Sequence, residues 1–179
     1  MPVLAALVAS SLALGAGGAL PVSDASGQVV QRQPPSGSCH AIGAGLFVLP
    51  DPSCTPGAVD PAVTEATIGR TICRAGWTSS VRPPEAVTEA EKRASIAAYG
   101  DYAGRRLGAY EYDHLVPLEL GGAVNDPRNL WPERGESPNP KDRLEDALNA
   151  LVCARRMGLA EAQQAIAGDW VAAYRRYVG

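Results

Sequence analysis

The spacing of apolar and polar positions changes several times along the chain. Residues 2–20, "PVLAALVASSLALGAGGAL", are apolar or small and carry no charge. A short apolar run followed by small residues at Gly17 and Ala19 has the form of an export signal, so residues 1–19 are expected to be a signal peptide. A first buried helix or a lipid-embedded anchor is the plainer alternative. Ser10, Ser11, Gly15, Gly17 and Gly18 interrupt the run, which is short for a membrane span. Residues 20–38, "LPVSDASGQVVQRQPPSGS", are polar and rich in small residues, and read as a flexible linker that buries little. Turn signals then recur through residue 84, in "LPDPSCTPG", "VDP", "RAGW" and "RPP". Only Gly45–Leu49 and Thr67–Cys73 look strand-like there, so an irregular subregion is expected.

Longer periods appear downstream. In "TEAEKRASIAAYG", Thr88 and Glu91 have capping-box spacing, and Gly100 marks the end of a helix. "AYEYD" alternates Tyr110 and Tyr112 with Glu111 and Asp113, as a half-buried strand does. "GGAVNDPRNLWPE" reads as a loop entering a short second strand at Asn129–Trp131. From Asn139 a helix is strongly marked. Asn139 suits the N-cap and Pro140 the first helical position. Leu144, Ala147, Leu148, Leu151 and Val152 share one face, away from Asp142, Glu145, Asp146 and Asn149. Gly158 is expected to end it. "LAEAQQAIAGDWVAAYRRY" predicts one or two further helices, broken near Gly168–Asp169. The class is α+β: a two-stranded hairpin followed by a helix, additional helices, and an irregular N-terminal subregion.

Composition narrows this picture. The 179 residues suit one domain, and a hydrophobic content of 46% allows a sizeable core. The net charge of −3 provides no global field for nucleic acid, so a polyanion site would have to be local. Four cysteines, Cys39, Cys54, Cys73 and Cys153, without any C-x-x-C spacing, fit disulfides in an oxidising compartment better than a zinc ribbon. The sequence leaves three pairings open. Cys39–Cys54 with Cys73–Cys153 is the favoured one, since the first would close a Pro/Gly-rich loop, worth roughly 3 kcal/mol in the chain-entropy model. The expected location is secreted or periplasmic, with no stable membrane insertion.

Candidate chemistry centres on "YEYDHLVPLELGG". His114 is one of two histidines in the chain and follows Asp113 directly. Taken alone, such a pair is a surface contact or a satisfied imidazole. Gly121–Gly122 and Asn125–Asp126–Pro127 are ordinary turn residues, Asn139 a cap, and Trp131 core. Taken together, the residues allow more. Neighbours on a strand face opposite ways, so one can hold a hard cation while the other meets substrate. A neutral imidazole at His114 can take a proton from water. With two histidines, a three-histidine zinc site is excluded.

"YEYDHLVPLELGG…NDPRNLWPE…NPKDRLE" resembles the HNH endonucleases, or ββα-metal nucleases. The nuclease-specific part covers about residues 109–157, within a domain expected over 39–179. A looser likeness to an exported bacterial group of HNH-like proteins runs over about residues 39–178. The resemblance implies His114 as general base, Asp113 as metal ligand, and Asn129 as the residue that holds the loop and orients the base. Asn139 stands where the family places its last metal ligand, often His, and Asn at that position is a departure. Mg²⁺ or Mn²⁺ is the implied cofactor and DNA the implied substrate, with RNA as the variant. Products would be a 5′-phosphate and a 3′-hydroxyl. Arg128, Arg134, Lys141 and Arg143 flank the motif and are expected to meet phosphate oxygens. Surface pairing with Asp126, Asp142 or Glu145 is the plainer role for Arg128 and Arg143. An exported, non-catalytic binding or structural protein on the same scaffold is the alternative function.

Overall fold

The computed structural model of the chain describes residues 22–23, 29–100, 106–135 and 137–179. The expected signal peptide, residues 1–19, lies outside them. Six short strands, β1 (Val22–Ser23), β2 (Val29–Val30), β3 (Ile42–Ala44), β4 (Phe47–Leu49), β5 (Tyr110–His114) and β6 (Leu130–Arg134), form three antiparallel pairs in chain order. Helices α1 (Trp77–Val81), α2 (Glu85–Ala98), α3 (Pro140–Cys153) and α4 (Leu159–Tyr177) accompany them, with short 3₁₀ turns at Ile68–Arg70, Leu107–Ala109 and Leu118–Leu120. The class is α+β.

α3 forms where its pattern places it. Asn139 accepts from Lys141 N at 2.7 Å and Asp142 N at 3.3 Å, and Asp142 accepts from Asn139 N at 2.7 Å. This reciprocal cap satisfies N–H groups that a helix start leaves open. Leu144, Leu148 and Val152 are buried against Ala162, Ile166, Trp170 and Ala173 of α4. Gly158 does not end α3. The helix stops at Cys153, and Gly158 is the N-cap of α4, whose Leu159 N–H donates to the Glu65 carboxylate. α4 breaks at Asp169 (φ −161°, ψ 89°), where the Asp169 carboxylate accepts from Ala172 N and restarts the helix.

Three other expectations change. α2 starts at Glu85 behind Pro84, earlier than the Thr88–Glu91 spacing indicates. Glu91 is buried and accepts from Gln31 N (2.7 Å) and Asn125 Nδ2 (3.1 Å), so a tertiary demand overrides the local cap. Thr67–Cys73 is not a strand. Thr67 and Ile68 donate to Thr64 O and the segment turns through Ile68–Arg70. Residues 31–38 do not behave as a free linker, because Gly37 N donates to Ala97 O and Gln33 Nε2 to Tyr112 OH.

The N-terminal subregion is tied by disulfides Cys39–Cys54 and Cys73–Cys153. The first closes a local loop, and the second joins the segment before α1 to the end of α3. Both fit an oxidising compartment. The subregion also buttresses the loop between β5 and β6. Gly57 N donates to Arg128 O, Asp60 N to Gly121 O and Ala123 N to Ala58 O. No described helix is long and apolar enough to cross a membrane.

Candidate active site

The β5–β6 register pairs His114 with Leu130, Asp113 with Trp131 and Tyr110 with Arg134. Alternation sends Asp113 to one face of the hairpin and His114 to the other. The connecting loop is anchored from within by Leu115, Val116, Leu118 and Leu120, all buried. Asn129 closes it. Its Oδ1 accepts from Val116 N (2.9 Å), and its Nδ2 donates to Val116 O (2.9 Å) and Ala123 O (3.1 Å). The Asn129 side chain is fully buried, so these bonds replace water that cannot reach the loop interior.

Gly122 is part of the same closure. A Cβ there would lie 1.7 Å from Val116 O and 2.6 Å from Asn129 Nδ2. No side-chain rotation relieves a clash with backbone, so this glycine answers a close approach as well as a turn. Gly122→Ala is expected to lower stability by about 3 kcal/mol or more. A thermal unfolding midpoint within a degree of the parent chain would contradict the packing described.

His114 is 7% exposed, and its Nε2 lies 3.0 Å from the Val124 carbonyl. A carbonyl only accepts, so Nε2 carries the proton and the neutral ring keeps its lone pair on Nδ1. Burial lowers the His114 pKa, and Asp113 and the Val124 bond only partly oppose it. The ring is therefore neutral near pH 7. The Val124 carbonyl is positioned in turn through its neighbour Asn125, which Glu91 of α2 holds.

Asp113 meets a different environment. Its Oδ2 accepts from Lys141 Nζ at 2.5 Å. The same ammonium donates to His114 O at 2.7 Å and to the Glu145 carboxylate, and Glu133 Oε2 lies 3.8 Å away. Burial works against the Lys141 charge, but Asp113, Glu145 and Glu133 outweigh it and raise its pKa well above the usual lysine value. Burial likewise disfavours the Asp113 charge, but Lys141 holds its pKa below the usual carboxylate value. Burial pushes Glu133 and Glu145 well up despite Lys141, with Asp113 adding to it. Of the three acids around the ammonium, Asp113 is the one that Lys141 holds below its usual value against burial.

Mg²⁺ or Mn²⁺ was expected on Asp113 and Asn139. As placed, the pair does not fit a divalent ion. Asp113 Oδ2 is held by an ammonium whose charge opposes a second cation on the same carboxylate, and Asn139 Oδ1 already accepts from two N–H groups of α3. Among the described residues, no three His, Cys, Asp or Glu side chains are arranged to hold a metal ion.

The four basic candidates part company. Lys141 is fully buried and is removed from the phosphate-contacting set. Arg128 is exposed but forks onto the Asp126 carboxylate, with Nη2 to Oδ2 at 2.6 Å. Arg134 shares a face with His114 but stands four residues along the hairpin, about 13 Å away. Arg143 is exposed on the first turn of α3, beside a hollow of about 200 Å³ lined by Leu46, Pro138, Asn139 and Pro140.

Sequence reasoning missed Glu133, Glu145 and Val124. Lys141 and Glu145 stand at helical i,i+4 spacing, a signal that was available. Val124 acts through its backbone, which no residue type announces. No family model, curated protein or solved structure matches the chain.

Proposed function

We propose that the chain is an exported endonuclease of the HNH type, built on a ββα-metal-like unit of β5, β6 and α3. It hydrolyses DNA phosphodiester bonds with little sequence specificity. The observation that carries this is His114 at the end of β5, its Nε2 committed to Val124 O and its Nδ1 left as a base. Asn129 supports it by pinning the loop that begins just after His114 and carries Val124.

In this reading, water beside Nδ1 gives up a proton to the imidazole as its oxygen attacks phosphorus. The bond from phosphorus to the 3′-oxygen breaks. That oxygen takes up a proton, leaving a 3′-hydroxyl and a 5′-phosphate. No step is routed through a divalent ion, since Asp113 and Asn139 are otherwise engaged. Binding is weak and salt-sensitive, because few basic groups are exposed around the site and the net charge is −3.

The alternative is a non-catalytic exported binding protein that keeps the scaffold. One observation favours it: an ammonium, not an open position, faces Asp113. Supercoiled plasmid incubated with oxidised protein separates the two. The nuclease yields nicked circles that DNA ligase reseals, as 5′-phosphate and 3′-hydroxyl ends require. Intact plasmid in Mg²⁺, Mn²⁺ and EDTA alike would support the alternative.

A further inference from the structure

Lys141 spends all three of its ammonium protons inside the protein. They go to Asp113 Oδ2, to the His114 carbonyl and to Glu145, while Glu133 stands just beyond. These oxygens come from β5, β6 and α3, the three elements of the proposed unit. The side chain has no exposed surface, so it is not a solvated lysine that happens to reach a carboxylate. A compact, fully hydrogen-bonded ammonium among converging oxygens does what a bound cation does. It neutralises Asp113 and ties the end of β5 to the start of α3 through the His114 carbonyl.

We infer that the Lys141 ammonium is the resident cation of this site and takes the place of the divalent ion that Asp113 would otherwise hold. This rests on the HNH-type assignment of Asp113. A divalent ion on either oxygen of the Asp113 carboxylate would lie within a few ångströms of the ammonium on Oδ2, and two cations on one buried carboxylate repel strongly away from water. Lys141 cannot retreat without leaving its charge buried and unpaired. Lys141 is thus a positioning residue. It is too buried to touch a phosphate, and it acts through the end of β5 that carries His114.

The test reads cation binding apart from cleavage. Mn²⁺ is titrated into the full oxidised chain and into Lys141→Met and Asp113→Asn, followed by electron paramagnetic resonance and by Tm. The expected result is that wild type and Asp113→Asn show no bound Mn²⁺ at millimolar concentration. Lys141→Met, with its carboxylates left without a cation, binds Mn²⁺, and its Tm rises by about 5–10 °C at a hundredfold excess over Kd. Mn²⁺ bound by wild type and lost in Asp113→Asn overturns the inference, and this comparison stands even if Lys141→Met does not fold. Nicking in the same samples separates the two proposals. Cleavage that persists in EDTA supports both. Cleavage that needs Mg²⁺ at Asp113 keeps the nuclease and overturns the resident ammonium. No cleavage, with no Mn²⁺ on wild type, overturns the nuclease and leaves the ammonium in place.

Discussion

If the proposed nuclease reading holds, replacing His114 by alanine is expected to lower the rate of plasmid nicking by about 10²–10⁴-fold, the usual contribution of a positioned general base. The chain still folds. The imidazole makes one side-chain hydrogen bond, to Val124 O, and losing a bond of that kind costs about 1 kcal/mol. The rate also depends on pH. Burial holds the His114 pKa below its ordinary 6.5, so the acid limb of the rate profile lies below pH 6.5. Stability follows the same sign. Between about pH 6.5 and the lower folded value, the unfolded chain binds a proton that the folded chain refuses. The His114 contribution is therefore complete above pH 6.5 and is lost as the pH falls through that window. Nicking by His114→Ala at the wild-type rate would remove His114 from the chemistry.

Asn129→Ala is expected to lower stability by about 3–5 kcal/mol. Three backbone groups lose their partner together: Val116 N, Val116 O and Ala123 O. Each buried group left unpaired costs about 1–3 kcal/mol, and the alanine leaves a small void as well. Asn129→Asp fares no better, because a carboxylate has no donor for the two carbonyls. Under the proposed function nicking is expected to fall too, since Val124 rides on the loop that Asn129 closes. Urea unfolding supplies the number, and a loss below about 1 kcal/mol would mean the loop is held some other way.

How much of this was legible in the sequence depends on how local each cause is. The α3 cap is written in four consecutive residues, Asn139 to Asp142, and the structure forms it as those residues dictate. The β5 alternation and the kink at Asp169 are equally local. The start of α2 is not legible locally, because Glu91, which has capping-box spacing with Thr88, is drawn inward by Gln31 and Asn125, groups distant in sequence. The Thr67–Cys73 segment had strand-like residues but no partner strand, and hydrogen bonds to Thr64 turn it instead.

The same divide runs through the site. Asp113, His114 and Asn129 could be singled out from motif and spacing. Lys141 was placed among surface cations because a lysine two residues into a charged helix start normally points to water. Only the fold brings Asp113, Glu133 and Glu145 around it. Asn139 could serve one of two roles on paper, and the geometry gives its oxygen to the helix cap.

Everything proposed for the site depends on β5 delivering His114 as a neutral imidazole with its lone pair on Nδ1. Nitrogen-15 NMR of the oxidised chain tests it most directly, since only His40 and His114 contribute imidazole signals. The expected result is that at pH 7 His114 is neutral, is protonated on Nε2, and resists protonation below its ordinary 6.5. A proton on Nδ1, or a charged ring at pH 7, would contradict it.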